Sequence, residues 1–283
     1  MFGSEYSKHP EILMDSFGEM SHEYEKNVNK KNNGLIIFLQ KIYLKLLGIP
    51  EIGFQIRSLF FKKIILNKIK INKIKKILDA GSGIGIYSFW LSRTFPNAKI
   101  TAGEIDKNKL EFSKKFAKES GIKNIEFMYR DISKETKKKA DYDLIINIDV
   151  LEHIRDYKSV LKNFYNQLTV NGYLYIHTPQ LNQKRIFKSL EKWHHEDHVR
   201  EGFDPEVLKN DLKELGFKII VTRETFGFFG KLAWELNHLT LMKNFILAGL
   251  FFPFFYCPAR IDLMFINKDG LGIAILAKKC NIV

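Results

Sequence analysis

Residues 75–91 read KKILDAGSGIGIYSFWL. Two apolar residues, Ile77 and Leu78, run into Asp79, then into glycines at 81, 83 and 85, then into a helical pattern from Ile86. Glycine lets a chain turn sharply and lets a ligand approach the backbone closely. The helix that follows turns its free N–H groups and the positive end of its dipole toward that loop. The spacing excludes two common nucleotide sites. A dinucleotide fingerprint needs a small residue where Ile86 stands, and a phosphate-binding P-loop needs the Gly-Lys-Ser/Thr triplet that is absent here.

Working outward, short apolar runs alternate with helical segments. The runs are Lys76–Ala80, Lys99–Gly103, Ile125–Tyr129, Leu144–Ile148, Tyr173–His177 and Phe217–Thr222, and Gly272–Lys278 could close the set. Helices are predicted over Ile86–Phe95, Lys107–Ser120, Tyr157–Leu168 and Pro205–Leu215. This alternation predicts an α/β fold with a doubly wound, Rossmann-like parallel sheet. Three regions follow: a helical extension over 1–75, a core over 76–225, and an apolar insertion with the last strand over 226–283.

Acidic residues stand where the runs end. Glu104 closes the second run, where a carboxylate can accept both hydroxyl protons of a ribose. Asp131, after the third, could take an adenine amino proton with Ile132 against the ring; as a plain structural residue it would form an Asx-turn. The fourth run leads into Asp149, Glu152 and His153.

The order ILDAGSGIG, AGEID, YRDI, DLIINIDVLEHI and NGYLYIHTP resembles the class I S-adenosylmethionine-dependent methyltransferases, over about residues 75–225. It is most similar to the group whose fourth strand reads into Leu-Glu-His. The resemblance implies a seven-stranded sheet with an antiparallel last strand at 272–278. It implies S-adenosylmethionine as cofactor, with Asp79 and Gly81, Gly83 and Gly85 on the methionine part and Glu104 on the ribose. Asp131 and Ile132 would hold the adenine, and Asn147 and Ile148 would line the sulfonium side. A sulfonium methyl is already electrophilic, so the protein must place a nucleophile in line and take its proton where needed. The base candidates are His153, His177 and His198, with His194 and His195 beside the last. Asp149, Glu152 and His153 also resemble a carboxylate–histidine set of the ubiquinone-type enzymes, but no metal is expected.

Composition bears on the acceptor. The net charge is +13, yet only eight of 45 basic residues are arginine, which weakens the case for a nucleic-acid reader built on arginine forks. The fourth strand lacks the Asn/Asp-Pro-Pro-aromatic signature that clamps a flipped base, so no specific nucleic acid is expected. Cys257 and Cys280 are the two cysteines, too few for a disulfide scaffold. Residues 52–78 carry Arg57, seven lysines and no acid among many apolar residues. With the apolar stretches Gly34–Ile49 and Phe245–Cys257, they point to an anionic membrane surface. The second stretch holds Pro253 and reads as too short and too broken to span a bilayer, which leaves a buried helix, an interfacial membrane helix or a lid over an apolar acceptor. The expected function is O-methylation of a small, lipid-like, quinone-type or glycan-linked acceptor by a cytoplasmic, peripheral enzyme. An RNA-directed methyltransferase and a non-catalytic scaffold are the rival readings.

Overall fold

The computed structural model describes residues 34–134, 141–191, 198–241 and 245–280. The expected helical content of 1–33, and His194 and His195, lie outside them. Seven strands form one sheet: β1 (Lys76–Ala80), β2 (Lys99–Glu104), β3 (Ile125–Tyr129), β4 (Tyr142–Ile148), β5 (Leu168–Pro179), β6 (Phe217–Thr225) and β7 (Gly272–Lys279). Their order is β3-β2-β1-β4-β5-β7-β6. The first five are parallel; β7 lies antiparallel between β5 and β6. The expected doubly wound architecture and its antiparallel last strand are therefore observed.

The near-continuous apolar runs follow from burial on both faces. Alternate residues of one strand enter different cores. Ile77, Leu144, Ile146, Ala274 and Leu276 pack on one face; Leu78, Ile145, Ile273 and Ile275 pack on the other. Eight helices accompany the sheet among the described residues: α1 (Gly34–Leu47), α2 (Ile52–Lys68), α3 (Ile86–Thr94), α4 (Lys107–Glu119), α5 (Tyr157–Gln167), α6 (Pro205–Glu214), α7 (Phe228–Leu241) and α8 (Phe245–Ile261). Aspartates fix three starts: Asp106, Asp156 and Asp204 accept backbone N–H groups of α4, α5 and α6.

Two sequence expectations need correction. The basic, apolar segment 52–78 does not turn its apolar side outward. Phe61, Ile64 and Ile65 of α2, with Ile69 and Ile74 beyond it, are buried against the sheet, and the Phe61 ring meets Tyr175 at 5.0 Å and Trp90 at 5.2 Å. Ile52, Ile56 and Phe60, elsewhere on the same helix, pack with Phe252, Tyr256 and Ala259 of α8. An apolar side flanked by lysines looks the same in sequence whether it meets a sheet or a bilayer.

Nor does Pro253 break the 245–257 stretch, since α8 runs through both Pro253 and Pro258. A proline cannot donate to the carbonyl four residues earlier. Here that carbonyl, Gly249 O, accepts the Tyr43 hydroxyl at 2.7 Å, which also ties α1 to α8. No helix among the described residues is long and apolar enough to cross a membrane. Large apolar side chains nevertheless face outward: Phe38, Leu39, Ile42 and Leu46 on α1, and Leu250, Phe251 and Phe254 on α8.

Candidate active site

The chemistry gathers at the carboxyl ends of β1, β2, β4 and β5, where open α/β sheets bind ligands. Beyond β1, Gly81 N and Ser82 N both donate to Gly103 O of β2, at 2.9 and 3.0 Å, which bends the loop over the second strand. Gly81 and Gly83 do different jobs. Both have positive φ, +86° and +54°. A Cβ on Gly81 would lie 2.5 Å from Val150 Cγ2, so packing of the fourth-strand loop demands glycine there. A Cβ on Gly83 would meet nothing within 4 Å. Its requirement therefore comes from φ and from whatever occupies that space. Gly85, also at positive φ, starts α3.

Glu104 is buried under this loop. One carboxylate oxygen accepts Gly83 N at 2.7 Å; the other accepts Ile105 N and Asp106 N, both at 2.9 Å. Asp79 is buried and accepts the Ser88 hydroxyl at 2.6 Å. Burial pushes its carboxyl up to about 7; the Ser88 hydrogen bond opposes the rise and nearby Glu104 adds to it. Asn147 is fully buried and donates to Ala80 O at 2.7 Å, and Ile148 is half-buried beside it. Ile132 is buried. Asp131 forms the Asx-turn: its Oδ1 accepts the Ser133 N–H and hydroxyl, and Lys134 Nζ lies 3.3 Å from Oδ2. The Ser133 hydrogen bonds hold its pKa low.

A raised pKa has a consequence for stability. The folded chain holds the Asp79 proton more tightly than the unfolded chain. That contribution is fully present below about pH 4 and is lost as pH rises through about 7. Asp79→Asn removes the titration while keeping an acceptor for Ser88. The cofactor-free variant should exceed the parent in stability by on the order of 2 kcal/mol at about pH 8, and match it near about pH 4. Thermal melts at both pH values check this.

A cavity of about 520 Å³ opens next to β4 and β5. Arg57, Asp149, His177, His198, Phe226 and Trp234 are among its walls. Asp149 follows β4 directly and has φ +52°, a left-handed conformation. It sits between Arg57, whose Nε lies 2.9 Å from one oxygen, and His177, whose Nδ1 lies 2.5 Å from the other. His177 Nε2 lies 2.9 Å from Thr225 Oγ1. Both nitrogens of this buried ring are thus engaged, which fixes its orientation. His198 is only half-buried in the cavity wall, and its ring meets that of exposed His153 edge-on at 4.7 Å. Of the histidines expected from sequence, His177 and His198 line the cavity and His153 lies against His198.

Glu152 lies beneath them. It is buried and accepts the Thr178 hydroxyl at 3.0 Å, while its Oε1 has no hydrogen-bond partner. Burial, with Asp149 adding to it, pushes its pKa up to about 8. One ligand atom each of Glu152, His153 and His198 falls within 4.8 Å of the others, so these residues could hold a divalent cation although none was expected from sequence. A second cavity, of about 460 Å³, lies at the opposite end of β1 between Lys70 and Pro96 and includes no acid, histidine or cysteine.

Sequence reasoning missed Arg57, Phe226 and Trp234 as cavity walls. Arg57 was visible only as one cation in a basic run. Trp234 and Phe226 sit in the apolar insertion, far from any motif, and no local spacing marks them.

A family model described as a methyltransferase domain matches residues 71–217, just over half of the chain. The chain belongs to the class I S-adenosylmethionine-dependent methyltransferase family. This methyltransferase is 23% identical over 156 residues to the ubiquinone biosynthesis O-methyltransferase of Acinetobacter baylyi, covering 51% of this chain and 64% of that one. It is 30% identical over 107 residues to the malonyl-[acyl-carrier protein] O-methyltransferase of Bacillus anthracis, covering 38% of each. The matched stretches thus span less than two thirds of these relatives' own length. Among solved structures, the phosphoethanolamine N-methyltransferase 2 of Haemonchus contortus in complex with S-adenosyl-L-methionine superimposes with a TM-score of 0.55 at 16% identity. That match covers 73% of this chain and 49% of the other, and its likeness is one of fold.

The family's cofactor is S-adenosylmethionine, and the residues present fit it. Open space faces Gly83, and two buried polar atoms of the same region, Ser82 Oγ and Asn147 Oδ1, have no hydrogen-bond partner among the described residues. Buried polar atoms are seldom left so, and a polar ligand would satisfy them.

Proposed function

We propose that this methyltransferase carries the methyl group of S-adenosylmethionine to an oxygen of a small acceptor of lipid-like, quinone-type or glycan-linked kind at a membrane surface. The observation that carries the reading is the cavity itself. It adjoins the end of β4, has room for a small molecule, and combines an aromatic wall at Trp234 and Phe226 with the imidazoles of His177 and His198. Asp79, the loop at Gly81, Gly83 and Gly85, Glu104, Asp131, Ile132, Asn147 and Ile148 would hold the cofactor. Bound there, it supplies an electrophilic methyl; the chain's own residues orient the acceptor and remove its proton.

In this reading His198 is the base. It lines the cavity, is half-buried, and its ring meets that of exposed His153, so a proton taken from an acceptor hydroxyl can pass outward. His177 is a positioning residue. Asp149 and Thr225 clamp its two nitrogens, and Asp149 is itself steadied by Arg57. The ubiquinone and malonyl-carrier relatives, both O-methyltransferases by name, support an oxygen acceptor.

The test begins with titration calorimetry of S-adenosylmethionine, followed by a screen of quinol, lipid-linked and glycan acceptors with mass detection of the added methyl. Binding plus methylation of one such class is the expected result. Cofactor binding with methylation of RNA alone would favour the nucleic-acid rival, and no cofactor binding would leave a scaffold.

A further inference from the structure

We propose that the chain docks on an anionic bilayer through the loop Met264–Ile266 and the outer stripe of α8. This inference rests on the membrane-surface acceptor proposed above and gives that surface a place on the molecule. Three consecutive large apolar residues stand in water: Met264 is 81% exposed, Phe265 53% and Ile266 80%. Leu250 at 64% and Phe254 at 73%, four residues apart on α8, form a stripe leading toward this tip, which follows the helix directly.

The tip is built rather than loose. Buried Asp262 accepts Gly227 N and Gly230 N at 3.0 Å and Asn267 Nδ2 at 2.9 Å, and Lys63 Nζ donates to Leu263 O at 2.6 Å. A loop free to collapse would tuck such side chains inward, whereas these bonds hold them out. Water-exposed apolar residues fixed in a row mark an interaction site.

Charge selects the occupant. The sequences of α1, α2 and α8 contain no acidic residue, and Lys45, Lys62, Lys63 and Arg260 on them are exposed. Exposed Lys268 flanks the tip; Asp269 is the exposed acid beside it, and Asp262 is buried. Exposed apolar side chains with Lys63, Arg260 and Lys268 close by suit acyl chains beneath anionic headgroups. A two-fold contact with a second copy would instead set the same cations against one another on a chain of net charge +13. The tip also leads to the active site. Phe265 stacks on Phe229 at 5.5 Å, and Phe226, three residues before Phe229, is in the cavity wall. An acceptor leaving the bilayer at the tip would enter beside that wall.

Vesicle flotation tests the proposal, using phosphatidylcholine alone and phosphatidylcholine mixed with phosphatidylglycerol. The parent chain should float with the mixed vesicles, less so at high salt, and poorly with the neutral ones. The double variant Met264→Glu, Ile266→Glu should bind about ten- to a hundredfold more weakly. Val207→Glu, which places one such carboxylate on exposed α6 surface away from the tip, should bind like the parent. Melting temperature and S-adenosylhomocysteine binding should match the parent in both. Should the double variant fail to fold, Ile266→Trp replaces it, with its emission expected to shift to the blue on mixed vesicles. Undiminished flotation of the double variant, no shift for Ile266→Trp, equal binding to neutral vesicles, or a dimer that the double variant dissolves would each overturn the proposal. Turnover of a water-soluble acceptor without vesicles stands apart: its failure beside intact flotation overturns the methyl-transfer reading and leaves docking in place.

Discussion

Gly83→Leu should weaken S-adenosylmethionine binding by at least about a hundredfold while the chain stays folded. The reason is that a Cβ at this position meets no protein atom within 4 Å, so a larger side chain projects into the space assigned to the cofactor. The φ of +54° costs a non-glycine residue about 1 kcal/mol, which lowers the melting temperature by a few degrees only. Gly81→Ala supplies the contrast. Its Cβ falls 2.5 Å from Val150 Cγ2, so it should damage the fold itself, with binding lost as a consequence. Calorimetric titration beside thermal melts separates these patterns. Unchanged affinity in a folded Gly83→Leu chain would move the cofactor site away from this loop.

The second large effect concerns the proton. His198→Gln should reduce kcat by about a hundred- to ten-thousandfold with cofactor affinity unchanged, as expected for loss of a general base. The fall of rate on the acid side of the pH profile should flatten, because that limb reports protonation of the base. His153→Gln should cost less, since its exposed ring reaches the site by way of His198. His177→Gln serves as the discriminating variant. Gln can still donate to Asp149 but cannot keep both of the ring's contacts, so a moderate loss with the acid limb retained fits a positioning role. Retained turnover in His198→Gln alongside a collapse in His177→Gln would transfer the role of base to His177.

What sequence conveyed well was local. β1 and β3 have the bounds read from the apolar runs, and β2, β4, β6 and β7 extend those runs by one to three residues, because each strand carries its own pattern and ends in its own turn; β5 starts five residues earlier, at Leu168, which the sequence pattern reads as the end of a helix. The glycine loop and Glu104 were equally legible: a backbone needing positive φ and a carboxylate ending the next strand leave marks within a few residues. The cavity beside β4 and β5 was not. Its walls come from α2, from the ends of β4 and β5 and from α7, and no spacing links Arg57 to Asp149 or Phe226 to His177. Such contacts exist only after the sheet has brought distant segments together. The outward face of α2 was misread for a related reason, since periodicity tells that a helix has an apolar side and is silent about what meets it.

The position of β7 bears on how the molecule is made. Tyr173 of β5 pairs with Lys278 of β7, and Phe217 of β6 pairs with Lys279. The slot between β5 and β6 is thus filled by the strand that leaves the ribosome after all the others. Until then β5 presents a bare edge and β6 has no neighbour through which to join the sheet, although the glycine loop and Glu104 beneath it have long been synthesised. Synthesis proceeds more slowly than most domains fold, so this half-finished sheet persists for seconds, with an open apolar edge suited to unwanted pairing. A chaperone acting on this protein would meet it in that interval, and insertion of the one strand next to the sheet's edge would end it.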